Sequence, residues 1–197
     1  MVMYTEDYIM RLISQAVAVL SHVVGLSKAG QHDDAITAVD EGLAELLGLR
    51  ADLVRQLDHR EIIQMLMIGG IMDHGRATIL AELFNISAES YNAIGLKDRS
   101  LPEYQRALVL YLEVALNEPS DMSAEVIQKI VLLHQELRGS ELSVEINLGL
   151  LDFYERLLTR DENVILAAGS TRMEAQRQVE LLEGSLQSYL EDRVLKS

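Results

Sequence analysis

Two prolines interrupt 197 residues, and between them apolar side chains recur every three or four positions. Proline ends or kinks a helix because it lacks an N–H and its ring crowds the preceding turn. A chain that nearly avoids it and keeps a 3.6-residue apolar period is built for helices rather than sheets. Glycines then mark the breaks. These signals place helices at about 4–26, 31–47, 51–57, 61–68, 75–94, 100–118, 123–137 and 171–194. One more starts near Ser143, and its end is open anywhere from Leu158 to Ala168.

The starts carry their own chemistry. Thr5 reads as an N-cap, with Glu6 and Asp7 suiting the positive end of the helix dipole. Asp58 with Glu61, Ser100 with Glu103 and Thr171 with Glu174 have the spacing of a capping box, in which two side chains satisfy each other's backbone N–H groups. Ser100-Leu101-Pro102-Glu103 is the strongest of these, because proline fits a first turn, and it makes 96–99 a loop. The run Ile62 to Ile68 is nearly all apolar and fits strand or helix; its acidic cap and helical neighbours assign it to a helix. In the last helix, Ala175, Val179, Leu182, Leu186 and Leu190 form the inward stripe. On the first helix, His22 reads as a partly buried histidine bonded to a neighbour.

Charge narrows the partners. Seventeen basic residues against 31 acidic ones give −14. Nucleic-acid binding needs clustered Lys and Arg to displace counterions, and anionic membrane surfaces need the same, so both are excluded as expectations. No apolar run approaches the roughly 20 residues of a membrane span, and Met-Val-Met-Tyr-Thr-Glu-Asp lacks the basic start of a signal peptide. Cysteine is absent, which removes disulfides, thiolate metal sites and cysteine nucleophiles. The expectation is a cytoplasmic protein without cofactor or metal.

Glycine-punctuated helix pairs call for a search for repeats. A tetratricopeptide repeat sets a glycine turn, then small and bulky residues at fixed offsets, so that its second helix packs between two neighbouring first helices. Gly30, Ala35, Val39 and Gly42 fit. Tyr104, Ala107, Tyr111, Val114 and Pro119 fit after a longer turn. Gly169, Ala175, Val179 and Leu182 fit with one extra residue. Gly75, Ala77, Ala81 and Phe84 match poorly, as do the first-helix halves. The chain is therefore expected to be all-α, a single domain over 1–197, with a tetratricopeptide-like array of helical hairpins forming a right-handed α-solenoid.

A family resemblance accompanies this. Tyr8-Ile9-Met10-Arg11-Leu12-Ile13, Gly25-Leu26, Lys28-Ala29-Gly30, Asp33-Asp34 and Leu46-Leu47-Gly48-Leu49 resemble an uncharacterised bacterial all-helical family. Its members open with a YIMRLI-like helix and read as degenerate tetratricopeptide proteins. The likeness is strongest over 4–57 and moderate over 95–119. It departs from the pattern between Arg156 and Ser170, which leaves the register of the last repeat open. The resemblance implies a fold and no activity.

Candidate chemistry is sparse. His32-Asp33-Asp34, Asp58-His59, Asp73-His74 and His134-Gln135-Glu136 place imidazoles beside carboxylates, as a metallophosphohydrolase would, but acidic residues at helix starts are expected anyway. Glu180-x-x-Glu183 has the spacing of a magnesium site, and Glu118-x-x-Asp121 straddles a proline. No phosphate loop or nucleophile elbow occurs. Glu82, Asn85, Glu89 and Asn92 lie at i, i+3, i+7 and i+10, on one helical face. They are expected to be exposed, to line a partner groove, and to leave Leu80, Phe84, Ala88 and Tyr91 buried. The expected function is a non-catalytic protein–protein interaction module that takes a basic peptide or helix in an acidic groove. The alternatives are a small all-α metal- or nucleotide-dependent hydrolase, and a structural homodimer with the first helix as its interface.

Overall fold

The computed structural model describes residues 2–117 and 122–195, with side chains described from Ser14 and Ala16 through to Glu191. The side chains of Ile9, Leu12 and Ile13, and the whole of Pro119, fall outside what is described. Among the described residues the chain forms ten helices and one two-stranded hairpin, an all-α protein. It divides into two compact units, Met1–Leu110 and Tyr111–Ser197.

In the first unit, α1 (Val2–Lys28), α2 (His32–Leu47) and α5 (His74–Ala93) pack against one another. α1 begins before Thr5, so Thr5 is not its N-cap, and His22 is exposed rather than bonded in the core. Gly42 explains how closely the three helices meet. A Cβ added there would stand 2.7 Å from Val19 Cγ1 and 3.1 Å from Leu83 Cδ1. Ala35, Val39 and Leu43 on α2 are fully buried, as are Leu80, Leu83 and Phe84 on α5.

Between them lie α3 (Ala51–Val54), α4 (His59–Met65), β1 (Met67–Ile68) and β2 (Ile71–Met72). Asp58 and Glu61 form the full capping box on α4, at 2.8 and 2.9 Å. The helix expected over 61–68 stops at Met65. Gly69 and Gly70 both take positive φ, 60° and 86°. Two left-handed residues in a two-residue loop match the twist of paired strands. Ile68 thus pairs with Ile71, and Met67 with Met72.

The helix expected to start at Ser100 starts at Lys97 instead: α6 runs Lys97–Asn117 and carries Pro102 in its interior. The cause is upstream. Gly95, at φ 82°, closes α5 with two crossed bonds, Leu96 N to Tyr91 O at 2.8 Å and Gly95 N to Asn92 O at 3.0 Å. This paired closure reverses the chain at once and leaves Leu96 O to accept from Arg99 and Ser100. Ser100 therefore bonds Lys97 O and caps nothing. Gly30 and Gly169 close their helices with the same pair of bonds.

The second unit holds α7 (Ala124–Glu136), α8 (Val144–Leu158), α9 (Glu162–Ala167) and α10 (Arg172–Leu195). Ser123 and Ser143 cap α7 and α8. The segment left open after Ser143 is two helices. Arg172 holds the break, donating to Leu158 O and Arg160 O while its Nε meets Glu162. Thr171 caps α10, but Glu174 turns from the capping box to Arg138, at 3.1 Å. On α10, Ala175, Val179 and Leu182 are buried, Leu186 is half-buried, and Leu190 is 62% exposed, so the inward stripe ends early.

Close packing gives a test with opposite signs. Gly42→Ala should destabilise by about 1–3 kcal/mol through the clash with Val19 and Leu83. Gly25→Ala, a helical site with nothing within 4 Å, should stabilise by about 0.5–1 kcal/mol. Ala35→Leu and Ala107→Leu, at two fully buried alanines, should each cost about 1–3 kcal/mol. Urea denaturation midpoints check all four.

Candidate functional site

The charged cluster of the first unit is built from four helices. Arg55, at the C-cap of α3, donates from Nε to Glu103 Oε1 at 3.1 Å and from Nη2 to Ser87 Oγ at 3.4 Å; its Nη1 lies 2.6 Å from Asp40 Oδ1. Asp40 is on α2, Ser87 on α5 and Glu103 on α6. Arg106, one turn beyond Glu103, donates from Nη1 to the same Oε1 at 3.2 Å and from Nη2 to Arg55 O. Its guanidinium stands 5.9 Å from the Phe84 ring centre.

Glu103 is the centre of this arrangement, with 3% of its side chain exposed. Removing a carboxylate from water is costly unless charge and hydrogen bonds replace the lost hydration. Here burial raises the Glu103 carboxyl above the ordinary range, more than Arg55 and Arg106 lower it. Its Oε2 is buried without a well-formed hydrogen bond, and the Ser87 hydroxyl offsets only part of the cost. For Arg55, burial acts to lower the pKa, but Glu103 and Asp40 outweigh it and the guanidinium stays charged. Burial lowers Arg106 despite Glu103, with Arg55 adding repulsion.

A cleft of about 450 Å³ opens over this cluster, lined by Asp40, Asp52, Tyr91, Asp98, Arg99 and Pro102 beside Glu103 and the half-buried Arg55 and Arg106. Arg55 has its nitrogens committed within the protein. Asp52 is held by Arg50 through two bonds, at 3.0 and 3.1 Å. Arg99 sits 5.9 Å over the Tyr91 ring. Asp98 stands exposed on the rim in the first turn of α6, and the Asp40 side chain is 42% exposed. Three carboxylates, Asp40, Asp52 and Asp98, and one guanidinium, Arg99, stand at the rim, and the first two carboxylates are paired with Arg55 and Arg50.

The four residues expected to line a groove lie elsewhere on α5. Glu89 and Asn92 are exposed, Glu82 is half-buried, and Asn85 is buried at 6%, donating to Glu89 Oε1 at 2.9 Å. Asn85 is a correction to the expected exposure: α5 runs through the centre of its unit and buries side chains around most of its circumference. At 100° per residue this stripe points away from the Ser87–Tyr91 face that meets the cleft. Leu80, Phe84, Ala88 and Tyr91 are buried as expected.

Sequence reasoning missed the cluster. Glu103 was read as a capping residue, and its partner Arg55 is 48 positions away. The usable signal was Pro102 inside a helix, with Glu103 and Arg106 one turn apart.

The histidines do not converge with carboxylates. Among the described residues no group of three or more His, Cys, Asp or Glu is placed to hold a metal ion. His32, His59 and His74 each begin a helix. His134 in the second unit is paired with Tyr154, Nδ1 to Oη at 2.9 Å. Burial, with the charge of Arg138, pushes this imidazole down to about 4. Burial and Glu174 raise the Tyr154 phenol. A neutral imidazole and a neutral phenol thus share this hydrogen bond. Comparison with protein-family models, curated proteins and solved structures finds no match. Fold and site together define an all-α protein with a self-paired, buried charge cluster under an open cleft.

Two measurements follow. Glu103→Ala should destabilise by about 3 kcal/mol, because it removes the carboxylate paired with the half-buried Arg106 and one of the two paired with Arg55. His134 has a folded pKa depressed from 6.5 to about 4. Its contribution is intact above pH 6.5 and is lost as pH falls to about 4, by up to about 3 kcal/mol. Urea melts at pH 7, 5.5 and 4 should show this loss, with a shallower slope for His134→Gln.

Proposed function

We propose that the protein is a non-catalytic interaction module of tetratricopeptide-like build, and that its first unit receives a basic peptide segment in the charged cleft. The observation that carries this is the division of labour inside the cleft. Arg55 and Arg106 are turned inward onto Glu103, Asp40 and the backbone, while the Asp98 carboxylate stands exposed on the rim. A net charge of −14 adds a long-range field that draws cationic partners and slows acidic ones. Tyr91, only 8% exposed, forms part of the cleft wall, and the Arg99 guanidinium rests over its ring.

The repeat-like build has its own support. Gly30, Gly95 and Gly169 turn the chain with one shared pattern of bonds, each joining two helices. α2 packs on both α1 and α5, as the second helix of a repeat packs between two first helices. Gly42 is the small residue at that crossing, and Ala35 on the same helix is fully buried.

The test is fluorescence anisotropy with a labelled peptide of alternating Lys and Ser, titrated at low and moderate salt. Saturable binding is expected, weakened at least tenfold in the double variant Asp52→Lys with Asp98→Lys and unchanged in Glu82→Lys with Glu89→Lys. Equal binding of a Glu–Ser peptide, or unchanged binding by the cleft variant, overturns the proposal. Loss only in the Glu82 and Glu89 variant would move the partner to the opposite face of α5.

A further inference from the structure

The second unit holds a cleft of about 590 Å³, with Arg138 on one side and Met173, Glu174, Arg177, Gln178 and Leu181 of α10 on the other. Arg138 follows the C-cap of α7 and donates from Nη2 to Glu174 Oε1 at 3.1 Å, which ties the end of α7 to α10. Met173, Arg177 and Leu181 are four residues apart and run along one side of the helix. Arg177 therefore stands about 6 Å along the axis from each of the other two, at 1.5 Å per residue. Met173 is 82% exposed and Leu181 56%, and both face the cleft. Arg177 is exposed too, and among the described residues it makes no ion pair or hydrogen bond. Glu174, the acid one turn before it, is turned to Arg138 instead.

Charge and volume say what fits there. Two arginines against one glutamate leave this cleft positive, on a chain of net −14. With Glu174 and Arg138 paired to each other, one guanidinium is left to answer one negative charge. Its planar fork suits a carboxylate, which it can hold through two parallel N–H bonds. A ligand with several negative charges, such as a nucleotide, would meet Glu174 and the field of an acidic chain with a single free cation against them. Leu181 lies on the side of Arg177 away from the Arg138–Glu174 pair, so the ground beyond the cation is apolar. The volume falls within the range of small-ligand pockets. We propose that this cleft binds a small aliphatic carboxylate. The carboxylate sits on Arg177, with the half-buried Gln178 amide beside it as a further donor, and the aliphatic body lies along Leu181 with Met173 at the other edge. This site is on the second unit and does not rest on the cleft of the first.

The probe is octanoate, titrated calorimetrically into the full chain at fixed pH and salt. Saturable binding of one octanoate per chain is expected. Octanamide, with the same body and no charge, and acetate, with the charge and no body, should each bind at least tenfold more weakly. Octanoate affinity should fall at least tenfold in Arg177→Gln and severalfold in Leu181→Ser. Both side chains are exposed, so helical circular dichroism and the melting midpoint should hold in both variants. The comparison with octanamide uses the unaltered chain, so it decides the role of the charge even where a variant fails to fold. The variant Asp52→Lys with Asp98→Lys should bind octanoate normally, which separates this site from the cleft of the first unit. Equal binding of octanamide, full binding by Arg177→Gln, or no binding of octanoate to the unaltered chain overturns the proposal. So does a dimer seen in sedimentation and abolished by Arg177→Gln, because a second copy then fills the cleft.

Discussion

Glu103 can be buried because two guanidinium groups meet one of its oxygens. Arg55 and Arg106 reach Oε1 from the end of α3 and from the next turn of α6. Arg106 then holds the carbonyl of Arg55, so the acid, the two bases and a helix end are one unit. Removing Glu103 takes the carboxylate from Arg106, and removing either arginine takes a countercharge from the buried acid, where an unpaired charge is costly. The interaction fixes where α3 stops, which way α6 faces and what floor the cleft has. The cleft is a by-product of that pairing, and its chemistry is what the pairing leaves over.

The same use of arginine recurs in both units. Arg76 donates to Leu46 O at the end of α2, Arg156 to Leu116 O at the end of α6, and Arg172 to Leu158 O at the end of α8. The last carbonyls of a helix have no partner within it and carry the negative end of its dipole. A guanidinium satisfies both needs, and its planar fork can reach a carboxylate as well: Arg156 also grips Asp152, and Arg172 grips Glu162. Most of the 17 basic residues are arginines, and several are thus spent on the fold. That leaves an outward charge more acidic than pairing across the surface would give. It is why the proposed partner of the cleft is basic.

Helix content and most turns were legible because they depend on neighbours in sequence. Gly30, Gly48, Gly95 and Gly169 all take positive φ at helix ends, which only glycine adopts cheaply. Asp58, Ser123, Ser143 and Thr171 cap as local hydrogen-bond chemistry requires. Two local signals misled. Ser100 and Glu103 have capping-box spacing, yet the tight closure at Gly95 starts the helix three residues earlier and turns Glu103 inward. Ile62 to Ile68 shows no decisive period, and the Gly69-Gly70 turn pulls its last two residues into a strand. In the stripe from Glu82 to Asn92, periodicity marked one face correctly but could not show that Asn85 is covered.

The sequence by itself determined the helices, their caps, the glycine turns and the acidic balance, since each follows from interactions within a few residues or from a plain sum. Tertiary structure alone decided that Glu103 is a buried hub, that Asp40, Arg55, Ser87 and Arg106 surround it, and that the α10 stripe runs past its own core. Those outcomes join residues tens of positions apart, and a period marks only which face is apolar. Whether another helix covers that face is settled by where the neighbouring helices end, a length balance that no local pattern encodes.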